Sequence, residues 1–236
     1  MMRNKPPIQA GFWAGVKSSL PVAVAYLPVA VTFGLLAENA GYGGLPAIAM
    51  SLMVYAGASQ FMAINLLSLG IAPFELILTT LLLNFRHFIM SASLSQRLEP
   101  GASIGSAALA AFGVTDETYA VAMFSGQKQL SMGYLMGLNL TAYLSWVAGT
   151  ALGCAAGGFI PDLIASGLSV SLYAMFVGLL VPNLRGSARL CVVAALAAGG
   201  SCLLTAAGLS KGLVVIVSTL GAALAGAAFF PAQEAV

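Results

Sequence analysis

Long apolar runs, separated by short breaks rich in Gly, Pro and polar residues, set the pattern of this chain. A run needs about 17–25 apolar residues to cross a bilayer as a helix. Eight candidates meet that length: about Leu20–Glu38, Pro46–Ser68, Ala72–Ser95, Ser103–Ser125, Ser131–Gly157, Leu168–Leu184, Ala188–Ala207 and Gly212–Phe230. Connections such as "SLGIAP", "RLEPGAS" and "SGQKQL" leave no room for a water-soluble domain. The expected fold class is all-α: a polytopic transmembrane helix bundle of seven to eight spans, with residues 1–236 forming a single integral membrane domain.

Composition agrees. Hydrophobic residues make up 60% of the chain and charged residues 7%, with a mean hydropathy of +0.97. Soluble domains carry roughly 25% charged residues, so this chain has too few to build a polar surface. The nine Lys and Arg residues are scattered, which excludes the basic stripe of a nucleic-acid binder. Cys154, Cys191 and Cys202 lie in apolar stretches without a C-x-x-C, and small core residues is their expected role.

The amino-terminal stretch is basic and then apolar, but its apolar run is too long for a signal peptide and no cleavage pattern follows, so a retained first span is expected. With eight spans and the N-terminus inside, Arg3, Lys5, Lys17, Lys128, Arg185 and Arg189 face the cytoplasm, and Arg97 and Lys211 lie outside. That asymmetry favours cytoplasmic termini.

Weak internal similarity suggests a duplication. Tyr55 and Tyr173, and likewise Asn65 and Asn183, stand 118 residues apart, within "VYAGASQFMAINLL" and "LYAMFVGLLVPNLR". "AYLPVAVTFG" and "AYLSWVAGTALG" align at nearly the same offset. The implied repeats are 18–125 and 131–232. Four spans in each would make them parallel, and an odd number would make them inverted. Repeat-built folds with broken helices are a transporter habit.

The polar residues inside the runs carry the candidate chemistry. "LLLNFRHFIMS" places Asn84, Arg86 and the chain's one His, His87, in the third run. The fourth holds Asp116 and Glu117 in "VTDETYAVAMF". The two runs share a short turn, and counting at 1.5 Å per residue puts Arg86 and Asp116 within about 6 Å in depth. Lone charges in hydrocarbon are costly, so Arg86, with His87 as a second candidate, is expected to meet Asp116 or Glu117. Snorkelling of Arg86 to the headgroups is the alternative. His87 or either acid could carry a proton.

The second run holds Gly57, Ala58, Ser59 and Gln60, with Asn65 a turn and a half further on. Either this is a broken helix offering backbone groups to a ligand, or its small residues serve close helix packing. Pro21 and Pro28 share a face of the first run, and Asn139, Thr141 and Tyr143 add polarity to the fifth. No nucleophile elbow, zincin, Walker A or dinucleotide motif is present, and one His cannot build a multi-His metal site. No enzymatic activity, cofactor or metal is expected.

"YAGASQFMAINLL", "NFRHFIMSASLSQRL" and "VTDETYAVAMF", in that order after a proline-containing first span, resemble the AzlC family, the large subunits of bacterial branched-chain amino acid exporters. The resemblance covers about Gly11 to Leu184 and weakens in the last two spans. It implies a two-component secondary exporter in the bacterial cytoplasmic (inner) membrane, working with a small hydrophobic AzlD-type membrane subunit. Its substrates would be branched-chain amino acids or methionine, with efflux coupled to the proton-motive force. On that reading the substrate-binding candidates are Gly57, Ser59, Gln60, Asn84, Arg86 and Asp116, and the proton-coupling candidates are His87, Asp116 and Glu117. Phe61, Met62 and Phe88 would surround the aliphatic side chain. A passive pore, a non-transporting partner subunit, or an intramembrane hydrolase using Ser91 or Ser93 are the rival readings.

Overall fold

The structure, a computed structural model, describes residues 11–157, 177, 181, 184–185, 187–209 and 211–229. The described residues are helical throughout: α1 Phe12–Asn39, α2 Gly44–Met53, α3 Gly57–Ser68, α4 Pro73–Ser95, α5 Ile104–Phe112, α6 Asp116–Met123, α7 Met132–Ala156, α8 Ala188–Ala206 and α9 Lys211–Phe229. A single isolated bridge joins Leu98 and Leu130. Four helices, α1, α4, α7 and α8, are long and apolar enough to cross a membrane. The helix ends follow local chemistry. Ser103, Ser131 and Ser187 cap α5, α7 and α8 by accepting a backbone N–H. Pro73 opens α4, where its missing N–H costs nothing.

Two expected spans are corrected. The run Pro46–Ser68 is not one helix but α2 and α3, interrupted at Val54–Ala56. Ser103–Ser125 is likewise α5 and α6, interrupted at Gly113–Thr115. Of the two readings of the Gly57 region, the structure shows a break, just before Gly57, and also close packing, since a Cβ on Gly57 would strike the Trp146 ring. The sixth candidate, Leu168–Leu184, lies almost wholly outside the described residues, as do Tyr173 and Asn183 of the suggested repeat and the charges Arg3 and Lys5. Two of the cysteines also depart from expectation: Cys191 and Cys202 are exposed on α8, and Cys154 is half-buried.

The chain forms two compact groups of residues, 1–60 with 84–165, and 61–83 with 166–236. In the first, α1 and α7 run parallel and in close contact. A Cβ on Gly15 would strike the Tyr134 carbonyl, and one on Gly137 the Phe12 carbonyl. Towards the other end, Gly34 lies against the Thr150 carbonyl and Gly153 against the Val31 carbonyl. Where solvent gives no hydrophobic drive between helices, such backbone approach maximises dispersion contact. Ser19 adds a hydrogen bond to the Leu138 carbonyl (2.7 Å). Pro21 and Pro28 sit on the outward face of α1, which continues through both.

The two interrupted pairs dock on α7 from opposite ends. α2 begins beside Cys154, near the end of α7, and reaches Thr150 through Ser51 and Tyr143 through Leu52. α5 runs the other way, with Ala110 against Asn139 and Phe112 against Tyr143. α6 then returns, so that the Met123 carbonyl accepts from Arg97 just past the end of α4. The loop after α4 is clamped to the start of α7, since Glu99 N donates to Leu130 O and Met132 N to Glu99 Oε1. Leu94, Ala110, Val114, Ala122, Leu130, Leu135 and Leu138 form the apolar core under this hairpin. In the second group, α8 and α9 fold against each other, with Val193 beside Gly226 and Ser201 donating to Ser218 (2.9 Å).

Candidate functional site

Both interruptions lie near the midpoint of α7, and that helix is patterned to receive them. Asn139, Tyr143, Trp146 and Thr150 recur at three- and four-residue intervals and therefore share one face. Ending a helix frees carbonyls that must find donors, and at this depth water is scarce. Asn139 Nδ2 donates to Ala110 O at the end of α5 (2.9 Å), and Tyr143 OH donates to Leu52 O at the end of α2 (2.9 Å). Leaving such a carbonyl unpaired costs about 1–3 kcal/mol.

The α2–α3 interruption turns on Tyr55, whose φ of 44° is the only positive value at a non-glycine among the described residues. That region is disfavoured for a bulky side chain. The turn is sharp enough for Gln60 Nε2 to reach back to Ser51 Oγ (2.8 Å). Gln60 is fully buried and also accepts from Trp146 Nε1 (2.9 Å), while Ser51 pairs with Thr150 (2.8 Å). The Trp146 ring lies where a Cβ on Gly57 would stand. Ser59 donates to Asn84 Oδ1 across to α4 (2.6 Å).

The α5–α6 interruption is capped instead of strained. Thr115 and Thr118 form a reciprocal capping box, and Asp116 and Glu117 occupy the first turn of α6, where the helix dipole favours negative charge. Asp116 pairs with Arg86 at 2.5 Å, the two side chains being 30% and 34% exposed. The expected meeting of the third and fourth runs is thus observed, and Arg86 supplies it. Among the described residues the His87 ring makes no hydrogen bond. Glu117 Oε2 accepts from Tyr26 OH (2.6 Å), which also pairs with Thr115 Oγ1 (2.6 Å). Ser93 and the Tyr119 hydroxyl add a further link between α4 and α6 (2.9 Å).

The candidate residues thus separate. Gly57, Ser59, Gln60, Asn84, Arg86, Asp116 and Glu117 all line or support the two interruptions. Asn65 and Thr141 bond to carbonyls of their own helices. Phe88, expected near an aliphatic side chain, is instead 68% exposed and stacked on Phe85 along the outer face of α4. Tyr26, Ser51, Thr115, Trp146 and Thr150 were not singled out from sequence, and Tyr55 was named only as a marker of the suggested repeat. The stripe on α7 was legible as spacing, and "TDET" as a cap. Nothing in the sequence marks Tyr26 or Tyr55 as central. Among the described residues no group of three or more His, Cys, Asp or Glu side chains could hold a metal ion.

One cation here faces two acids. Arg86 compensates Asp116, and Glu117 keeps Oε1 without a protein donor among the described residues. Glu117 is held by the Tyr26 hydroxyl and the first turn of α6, and forms no ion pair among the described residues.

Known proteins give the same general picture. An uncharacterized membrane protein of Archaeoglobus fulgidus is 40% identical over 179 residues, covering 75% of this chain and 78% of its own length. The inner membrane protein YgaZ of Escherichia coli is 33% identical over 196 residues, covering 80% of each. The branched-chain amino acid transport protein AzlC of Bacillus subtilis is 26% identical over 179 residues, covering 75% of this chain and 69% of its own. No solved structure matches the chain. Residues 21–160 match the family described as AzlC protein, so this multi-pass membrane protein, carrying its polar residues where two interrupted helix pairs meet, belongs to the transport-related AzlC family.

Proposed function

We propose that the chain is the large subunit of a secondary exporter of branched-chain or similar hydrophobic amino acids in the bacterial inner membrane, driven by the proton-motive force. The observation that carries this reading is the surplus carboxylate at Glu117 beside the balanced Arg86–Asp116 pair. A proton and the ammonium of an amino acid satisfy that carboxylate equally well in charge, and each excludes the other. Competition of this kind makes an antiporter. A proton entering from the acidic exterior displaces the ammonium, travels in and is released, and Glu117 then accepts a new ammonium from the cytoplasm. The substrate and membrane of this reading are those in the names of two relatives, the branched-chain amino acid transport protein AzlC and the inner membrane protein YgaZ. His87 and Asp116 stay as secondary proton carriers, and a small AzlD-type subunit is the proposed partner.

The architecture supports the reading. Helix pairs entering from opposite ends of the bundle and stopping at mid-depth resemble the discontinuous helices of transporters. We read α1 with α2–α3, and α4 with α5–α6, as two inverted copies of one unit, in place of the repeats 18–125 and 131–232.

In proteoliposomes with an imposed pH gradient, the wild-type chain with its partner should drive labelled leucine uphill. Glu117→Gln should lower that uphill flux at least about ten-fold, on the scale of a lost general acid–base group. Uphill flux that survives this substitution removes Glu117 from the coupling. Wild-type flux that follows only the leucine gradient would make the protein a passive pore.

A further inference from the structure

Two buried donors at the meeting of the helix pairs have no acceptor among the described residues: the Tyr55 hydroxyl and the Arg86 Nε–H. Tyr55 is 3% exposed and belongs to the tip of α2–α3, yet its side chain reaches across to the tip of α5–α6. Its ring lies 5.0 Å from that of Tyr143 in an edge contact and 6.2 Å from that of Phe112. The backbone holds this side chain there from a left-handed φ of 44°, a conformation in which glycine or asparagine would be at ease. Strain retained at a bulky residue, together with a buried polar atom left unpaired, marks a position kept for something other than packing.

The chemistry of the missing partner follows from the donors. The Arg86 Nε–H only donates, and its charge favours an anion. A tyrosine hydroxyl serves the same acceptor. The adjoining first turn of α3, beginning at Gly57, adds backbone N–H groups that have no intrahelical acceptor. Glu117, on the opposite side, calls for a cation. A zwitterion satisfies both.

We propose that the Tyr55 hydroxyl and the Arg86 Nε–H bind the carboxylate of the substrate amino acid, whose ammonium lies on Glu117. This rests on the reading of the charged cluster as the transport site, and adds Tyr55 as the residue that distinguishes an amino acid from an amine of the same shape.

The test uses the full chain with its partner in proteoliposomes, with labelled leucine as substrate and two competitors. These are 3-methylbutylamine, which lacks the carboxylate, and 4-methylpentanoate, which lacks the ammonium. Tyr55→Phe keeps the ring and deletes the orphan hydroxyl. Half-saturation for leucine should rise about ten-fold, the scale of a hydrogen bond to a charged group, while competition by the amine stays as in wild type. A merely structural hydroxyl would leave leucine unchanged, or would shift leucine and amine together, and either result overturns the assignment. Should Tyr55→Phe fail to fold, 3-fluorotyrosine at position 55 of the otherwise native chain replaces it. Its fluorine resonance should move on addition of leucine and not of the amine, and an unmoved resonance also overturns the assignment. If the wild type takes up none of leucine, isoleucine, valine and methionine, the substrate reading falls and the carboxylate assignment with it. If the wild type takes up leucine and only the Tyr55 arm fails, the exporter reading stands without Tyr55.

Discussion

The α2–α3 and α5–α6 helix pairs begin sixty residues apart, α2 at Gly44 and α5 at Ile104, and each is interrupted near the middle of α7. Each frees a carbonyl that one α7 side chain satisfies, Tyr143 for Leu52 and Asn139 for Ala110. Beyond that they differ. The α5–α6 tip is capped by Thr115 and Thr118, carries both acids, and is tied to α1 and α4 by Tyr26 and Arg86. The α2–α3 tip is neutral, held by the Ser51–Gln60–Trp146–Thr150 chain, and contains a strained tyrosine with an unpaired hydroxyl. One tip is electrostatically committed before any ligand arrives, and the other is poised to gain a partner. The difference suggests a division of labour, with ammonium and proton on Glu117 of the charged tip and the carboxylate between Tyr55 of the neutral tip and Arg86.

Arg86→Ala should break the comparison most severely. It leaves Asp116 and Glu117 adjacent in the first turn of α6, without the guanidinium that pairs with Asp116. A fully buried pair broken on one side costs about 3–5 kcal/mol. With both partners about one-third exposed, the cost should fall between that and the ~0–1 kcal/mol of a surface pair, at about 2 kcal/mol. Thermal unfolding in detergent measures it, and leucine counterflow should vanish. Adding Asp116→Asn should recover much of the stability and none of the transport. No single neutral substitution on the α2–α3 tip should cost as much. If one does, the charged tip is not the dominant anchor.

Much of the charged tip was legible in the sequence, and little of the neutral one. Arg86, Asp116 and Glu117 stand out because ionisable groups are rare in apolar runs and must find partners, and depth counting along two joined helices brings Arg86 level with the two acids, of which Asp116 is the one it meets. The count succeeded although Ser103–Ser125 is not a single span. Arg86 and Asp116 come level because α6 starts at the depth where α5 stops. The hairpin itself was hidden because α5 and α6 are both apolar enough to read as one run, and only "GVTDET" hints at a stop and a new cap. The α2–α3 tip was harder. Gly57 and Ser59 raised the possibility of a break without deciding it, since small residues also suit close packing. Tyr55 and Tyr26 look like ordinary aromatic filling, and their roles depend on helices brought together from distant parts of the chain.

A milder pair of substitutions separates the tips through α7. Asn139→Ala removes a buried donor from Ala110 O and opens space against Gly113, so about 1–2 kcal/mol of destabilisation is expected. Tyr143→Phe removes the donor from Leu52 O, where the carbonyl is more accessible, and keeps the ring contacts with Tyr55 and Phe112, so the loss should stay under about 1 kcal/mol. Unfolding midpoints in one detergent compare them directly. The reverse order would mean that the neutral tip depends on α7 more than the charged one does.

The smallest expected effect is also the most discriminating for local architecture. Thr115→Ala deletes the cap of α6 and one partner of Tyr26 together, a loss of about 1–2 kcal/mol. Ser59→Ala, in the first turn of α3, deletes only the hydrogen bond to Asn84. That bond is worth about 0.5–1.5 kcal/mol, and the higher helix propensity of alanine returns about half a kcal/mol of it. Ser59→Ala should therefore unfold within about 1 kcal/mol of wild type. Its transport should suffer more than its stability if Asn84, released from Ser59, no longer holds the neighbouring Arg86 turn of α4 in register with Asp116. Equal losses for the two substitutions would show that α3 relies on Ser59 for its start as α6 relies on Thr115, and the contrast between a strained tip and a capped one would then lose its physical basis.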